Sequence, residues 1–233
     1  MTLDAREART AGTRALGWVR CAPLTTAYLL ALVVTTILVH RLPRAIVHRL
    51  LWQSSTNLHQ LDRVPVRVLV ASAFWVADGH VLGWLALLGV VGGLAESRIG
   101  SVRTACIFIA GHVGASLLVA AGLVIALAVG VVHRSIVDMV DVGPSYGFAA
   151  LAAAVSLRGS RRWRIWSLVA LGAWLVTTSS TSSAGRVTAA GHLTAIAIGF
   201  LCVLVVRTRV EPTSSSAGAT RAPRSGTGTP STR

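Results

Sequence analysis

The residues best suited to chemistry lie in Gly143-Pro144-Ser145-Tyr146-Gly147, a short polar turn that opens an apolar run. Pro144 fits the first turn of a helix, where its missing N–H is not needed. Ser145 therefore lies near the positive end of the helix dipole, where a developing negative charge is stabilised. Its hydroxyl could act as a nucleophile, or it could simply cap the helix, because serine is a common residue before an apolar run.

Composition places this turn in a membrane protein. The chain has 233 residues, of which 53% are hydrophobic, and its mean hydropathy is +0.67. That is enough apolar sequence for several membrane spans and too much for one soluble domain. The net charge of +14 comes from arginine without any lysine. The arginines fall between apolar runs and in the two tails, so membrane lipids are expected partners and nucleic acid is not.

The apolar runs predict an all-α membrane protein with six transmembrane helices, over residues 22–39, 80–96, 102–132, 144–157, 163–176 and 187–206. An N-terminal cytoplasmic segment covers residues 1–21, the membrane domain residues 22–207, and a disordered basic C-terminal tail residues 208–233. Residues 40–79 combine an amphipathic stretch with an apolar return, which predicts a long first loop partly embedded in the outer leaflet. The fourth helix is only about 20 Å long and must lie sunk inside the protein.

The arginines also predict the orientation. Most of them fall on one side of the membrane if the N-terminus is inside, so both termini are expected in the cytoplasm of a multi-pass plasma membrane protein. Ser145, His80 and His192 then all lie near the outer ends of their helices. A serine and a histidine at matching depth are the minimum for nucleophilic catalysis, although matching depth does not establish contact.

The remaining ligand-type residues predict no metal and no cofactor. His112 is flanked by glycines, which favours a structural hydrogen bond between packed helices. The three cysteines are widely spaced, and the sequence has neither a His-Glu-x-x-His nor a Cys-x-x-Cys pattern.

Four patches resemble the rhomboid intramembrane serine proteases and their rhomboid-like relatives, over roughly residues 23–206. The first is residues 65–74, which keep the arginine of the family's Trp-Arg segment as Arg67. The second is His80 followed by Gly92-Gly93, Glu96, Arg98 and Gly100. The third is Gly143-x-Ser145, and the fourth is residues 191–199, from Gly191-His192 to Gly199.

The resemblance implies a role for each matching residue. Ser145 would be the nucleophile and His192 its general base, in a dyad without a carboxylate. His80 and the backbone N–H of Ser145 would bind the oxyanion. Gly143 would allow close approach to the sixth helix, where Gly199 offers a small face. Arg67 and Glu96 would be structural.

The sequence also departs from the family pattern. Trp84 stands where the family commonly has Asn, Pro144 before the nucleophile has no N–H, Tyr146 replaces the usual Gly, and Ala149 replaces an aromatic residue. Loss of one oxyanion donor can cost about 100- to 1,000-fold in rate.

Two functions therefore stay open. One is an intramembrane serine endopeptidase that cleaves transmembrane segments of membrane proteins. The other is a catalytically impaired relative that binds transmembrane clients without cleaving them. A solute transporter has no support, because the chain shows no inverted repeat and no ladder of intramembrane acids.

Overall fold

The computed structural model describes residues 17, 19–77, 79–179 and 182–208. The predicted N-terminal segment and C-terminal tail lie outside the described residues, apart from a few residues at their inner ends. Within the described residues, the regular structure is helical throughout.

The α-helices are numbered here along the chain, and those that correspond to the six predicted ranges begin and end within about four residues of them. They are α1 Pro23–Arg41, α2 Arg44–Ser54, α3 Leu58–Arg63, α4 Pro65–Ala71, α5 Val81–Ile99, α6 Ser101–Ala128, α7 Ser145–Ser156, α8 Arg161–Thr178 and α9 Ser183–Thr208. Short 3-10 turns cover Ser72–Phe74 and Arg134–Asp138.

In the described part of the chain, four helices are long and apolar enough to cross a membrane. They are α1, α5, α6 and the Ala184–Val205 part of α9. Helix α7 is too short, with 12 residues, and α8 carries Arg161, Arg162 and Arg164 in its first turn. Length and composition thus support a multi-pass membrane protein without reaching the predicted count of six.

Large apolar side chains cover the outside of the long helices. Leu30 on α1, Leu82 on α5, Ile125 on α6 and Leu201 on α9 are each more than half exposed. A soluble monomer rarely shows so much apolar surface, whereas hydrocarbon is a suitable solvent for it.

Helix α7 forms the centre of the bundle. Ala149, Ala150 and Ala153 on it are fully buried. A Cβ on Gly111 of α6 or on Gly199 of α9 would overlap Ala150. These small residues let the three helices approach closely, as is typical of helix packing in membranes. The core therefore holds in place the helix that Ser145 opens.

Glu96, near the end of α5, accepts hydrogen bonds from the start of α1. Its carboxylate accepts hydrogen bonds from the backbone N–H groups of Leu24 and Thr25, each at 2.8 Å. The hydroxyls of Thr25 and Ser101 add bonds of 2.8 and 2.6 Å. Because Pro23 has no N–H, these two backbone bonds satisfy the first free donors of α1, at the positive end of its dipole.

The first loop, residues 42–80, has a polar core of its own. Ser54, Ser55, Thr56, Asn57 and Gln60 are all buried. The Asn57 side chain caps α3 by accepting from the N–H of Gln60 at 2.8 Å. Most buried polar groups in proteins are hydrogen-bonded. Here Ser55 and Thr56 bond to the segment before α7, whereas Asn57 Nδ2 has no partner among the described residues.

Candidate functional site

Ser145 is the first residue of α7. Pro144 takes the N-cap position, and its carbonyl accepts from the N–H of Phe148 at 2.8 Å. Ser145 is therefore not the cap residue, and no described residue forms a hydrogen bond with its hydroxyl. The half-buried Ser145 side chain lies where the backbone N–H groups of the first helical turn are unpaired within the helix.

Gly143 shapes the turn before the helix. Its φ is +140°, a conformation that favours glycine. Its N–H donates to the carbonyl of Ser72 at 2.8 Å. This bond ties the turn that carries Ser145 to the end of the first loop.

His192 on α9 is buried beside α7. Its side chain is 2% exposed, and neither ring nitrogen has a hydrogen-bond partner among the described residues. The ring lies between two aromatic side chains. Its centroid is 5.5 Å from that of Tyr146, edge to face, and 4.6 Å from that of Trp174 on α8.

Tyr146 connects His192 to the first loop. Its ring packs on Gly191, where a Cβ would overlap it. Its hydroxyl donates to Asp141 Oδ2 at 3.2 Å, and the hydroxyl of Thr56 donates to the same oxygen at 3.2 Å. Burial raises the pKa of the Asp141 carboxyl, against the opposing effect of these two hydrogen bonds. A polar link therefore runs from the first loop to the ring that contacts His192.

Asp141 is also held through its backbone. Its N–H donates to Ser55 Oγ at 2.7 Å, and its carbonyl accepts from the N–H of Thr56 at 3.0 Å. The segment before the nucleophile turn is thus fixed against the first loop at several points.

His80 and Trp84 stand at the outer end of α5. His80 is exposed at the N-cap of the helix, and its carbonyl accepts from the N–H of Trp84 at 3.0 Å. The Trp84 ring lies edge to face with Phe148 at 5.8 Å and with Trp174 at 6.4 Å. Trp84 therefore fills space between α5, α7 and α8, at the position where the resemblance would place an amide.

Two further predicted residues have hydrogen-bonding roles away from Ser145. Arg67 is exposed on α4, and its guanidinium donates to the carbonyl of Gln53 at 3.2 Å, which links two helices of the first loop. His112 is 4% exposed, and its Nε2 lies 2.9 Å from Ser72 Oγ. The expected bond of His112 thus goes to the first loop rather than to another long helix.

A metal ion has no candidate site in the described part of the chain. No group of three or more His, Cys, Asp or Glu side chains is found there. The described geometry offers a serine at a helix N-terminus and a buried histidine on a neighbouring helix.

Comparison with known protein families identifies the family of this chain. A family model described as rhomboid-like protein matches residues 17–212 of the chain. The chain belongs to the rhomboid-like family. No match is found among curated proteins or among solved structures.

In this rhomboid-like protein, the structure brings part of the predicted site together. Ser145 and His192 lie on neighbouring helices, and Tyr146, the residue after Ser145, contacts the His192 ring. A hydrogen bond between Ser145 and His192 is not formed, since both nitrogens of His192 lack a partner.

Trp174 is the site residue that the sequence analysis missed. It lies in a long apolar run, and only its packing on the histidine distinguishes it from the other tryptophans of the chain. Its distance from His192 along the chain gives no local signal. Asp141 precedes the turn by two residues, but its hydrogen bonds to Thr56 could not be predicted from sequence spacing.

Proposed function

We propose that this rhomboid-like protein is an intramembrane serine endopeptidase that cleaves transmembrane segments of other membrane proteins, with Ser145 as nucleophile and His192 as general base. The observation that carries the proposal is the buried and unpartnered ring of His192, beside the helix that Ser145 opens. Burial of a polar ring without a hydrogen bond is costly. A role as general base would explain why this cost is tolerated, because the base needs a free ring nitrogen to accept the proton of the Ser145 hydroxyl.

In the proposed reaction, Ser145 Oγ attacks the carbonyl carbon of the scissile peptide bond while its proton passes to a nitrogen of His192. The negative charge on the carbonyl oxygen is stabilised by the backbone N–H of Ser145 and by the side chain of His80. His192 then gives its proton to the leaving amine, and the C–N bond breaks. Water attacks the acyl carbon while His192 accepts its proton. The ester C–Oγ bond then breaks, His192 returns the proton to Ser145 Oγ, and the carboxylic acid product leaves.

The proposal includes six membrane segments, with the short α7 and the arginine-bearing α8 completing the four long helices. The first loop would lie partly in the outer leaflet, and both termini would face the cytoplasm from a plasma membrane. The positive-inside distribution of arginine supports this orientation. Substrate helices would reach Ser145 from the outer half of the bilayer.

A second candidate is a relative that binds transmembrane clients without cleaving them. The packing of Trp84 on Phe148 and Trp174 favours it, because an indole occupies the place of an oxyanion-binding amide. Pro144 also lacks an N–H, and a hydroxyl that is not bonded to its base is not activated. The side chain of His80 and the backbone N–H of Ser145 would remain as donors, so the oxyanion site would have fewer donors but would not be lost.

An activity probe separates the two candidates. The full chain, reconstituted in liposomes, would be treated with a fluorophosphonate, which labels activated serines. We expect labelling of the wild type that is lost in Ser145→Ala and His192→Ala. Ser156→Ala, at the other end of α7, is the matched control and should label fully.

Absence of labelling in the wild type, with an active rhomboid protease labelled in parallel, would refute the protease proposal. The variant Trp84→Asn then tests whether the Trp84 side chain is the cause of the missing activity. Labelling that appears in this variant would identify the indole as the cause of the inactivity, and client binding would become the function to test.

A further inference from the structure

An apolar cavity of about 320 Å³ lies between α1, α4, α5 and α6. On α6 its lining runs from Thr104 to Val113, which is about 14 Å at 1.5 Å per residue. The cavity is therefore long in the direction of the membrane normal. It lies outside the contacts that surround Ser145 and His192.

The rim of the cavity opens on the lipid-facing surface. Val70 on α4 and Ile109 on α6 line it and are 58% and 57% exposed. Leu88 of α5 and Leu151 of α7, on the far side, are 3% and 2% exposed. A ligand would thus enter sideways, from the hydrocarbon of the bilayer, and reach the buried core.

The polar groups of three lining side chains are directed to protein partners. The hydroxyl of Tyr28 donates to the carbonyl of Ala73 at 2.6 Å, and the hydroxyl of Thr25 donates to Glu96. His112 Nε2 is paired with Ser72. Thr104 Oγ1 and His112 Nδ1 have no partner among the described residues, but neither atom adds polar surface to the cavity. The accessible lining is accordingly apolar, which selects an occupant that needs no hydrogen bonds.

The size of the cavity distinguishes among apolar occupants. A helix with its side chains is ~10 Å across, so a segment that ran the ~14 Å length of the cavity lining would fill roughly 1,100 Å³, more than three times the cavity volume. A client helix or a helix of a second copy is therefore too large. A methylene group is similar in size to a water molecule, about 30 Å³, so the cavity takes roughly ten of them in a row.

We infer that this cavity binds one acyl chain of a membrane phospholipid. An empty space of this size would forfeit dispersion contacts along its whole lining, and an acyl chain restores them. Phe108 forms part of the cavity wall, and its ring also packs against Gly147 in the first turn of α7. The bound chain would thus support the wall behind the Ser145 turn.

Photo-crosslinking in nanodiscs tests the inference. The full chain would be reconstituted with phosphatidylcholine that carries a diazirine in the middle of one acyl chain, irradiated, and mapped by mass spectrometry. We expect adducts on residues 105–113 to exceed those on the lipid-facing residues 117–125 of the same helix at least fivefold. Ser145→Ala should keep this pattern, so the outcome is independent of protease activity.

Two variants close the cavity in different ways. Ala105→Trp fills it from α6, and Val70→Trp blocks the rim at a position exposed enough to be tolerated if the first variant fails to fold. Each should lower the adducts on residues 105–113 at least fivefold. Leu118→Trp, at a lipid-facing position of α6 that does not line the cavity, should leave them unchanged.

Either of two results would overturn the inference. One is an even spread of adducts over α6, which would mean that lipid contacts only the outer surface of the helix. The other is a lining signal that persists at full strength in a folded Val70→Trp variant.

Discussion

Replacing Glu96 should separate the start of α1 from the end of α5. The carboxylate is 4% exposed and accepts four hydrogen bonds, two of them from the backbone at the start of α1. In Glu96→Ala, the N–H groups of Leu24 and Thr25 lose their acceptors. Each buried donor left unsatisfied costs about 1–3 kcal/mol, so the two together cost roughly 2–6 kcal/mol.

Part of that cost is offset, because the variant no longer buries a charge. We therefore expect a net loss of about 2–4 kcal/mol in the free energy of unfolding. Glu96→Gln keeps one acceptor and turns an amide N–H₂ toward donors, so its loss should be roughly half as large. Ser97→Ala, the exposed neighbour, is the matched control and should stay within about 0.5 kcal/mol of wild type.

The assay is reversible unfolding of the purified protein in mixed micelles with increasing dodecyl sulfate, followed by far-ultraviolet circular dichroism. The expected order of stability is wild type and Ser97→Ala, then Glu96→Gln, then Glu96→Ala. A Glu96→Ala protein as stable as Ser97→Ala would refute the argument, since the carboxylate would then not be holding the two helices together.

Two further predictions rest on other contacts. Gly199→Ala should lower the thermal midpoint, at a cost of about 1–3 kcal/mol, because the new Cβ would overlap the carbonyl of Ala150. Gly122→Ala, with open space at its Cβ, should not lower it, and equal midpoints in both variants would contradict the close packing of α7 and α9. Burial raises the pKa of Asp141 above its usual 3.8, so as pH rises between the two values the folded state holds more protons than the unfolded state and stability falls. Asp141→Asn keeps an acceptor for Tyr146 and should reduce this decline of the thermal midpoint with pH; an identical pH profile in wild type and variant would show that Asp141 is not its source.

Much of the fold could be predicted because hydropathy is a local property. A run of apolar residues forms a helix in the membrane whatever surrounds it, since every backbone group must be satisfied internally. The predicted short helix at residues 144–157 agrees with Ser145–Ser156 for that reason. The number of membrane crossings was harder to predict, because the arginines that begin α8 lower its apolar content. Among the described residues, four helices qualify by length and composition.

The candidate site, too, could be predicted only in part. The four motif patches, from Arg67 to Gly199, were sufficient to indicate the family, which the match over residues 17–212 confirms. It could not indicate that His192 lies between Tyr146 and Trp174, because side chains on three helices meet there.

The sequence alone thus determined where the long helices form and which residue types the site contains. Only the tertiary structure decided which polar groups meet. Glu96 reaches backbone donors that lie 71 and 72 residues earlier, and Thr56 reaches the Asp141 side chain across 85 residues. The physical reason is that helix formation depends on neighbours along the chain, whereas a hydrogen bond between helices depends on how the whole bundle packs.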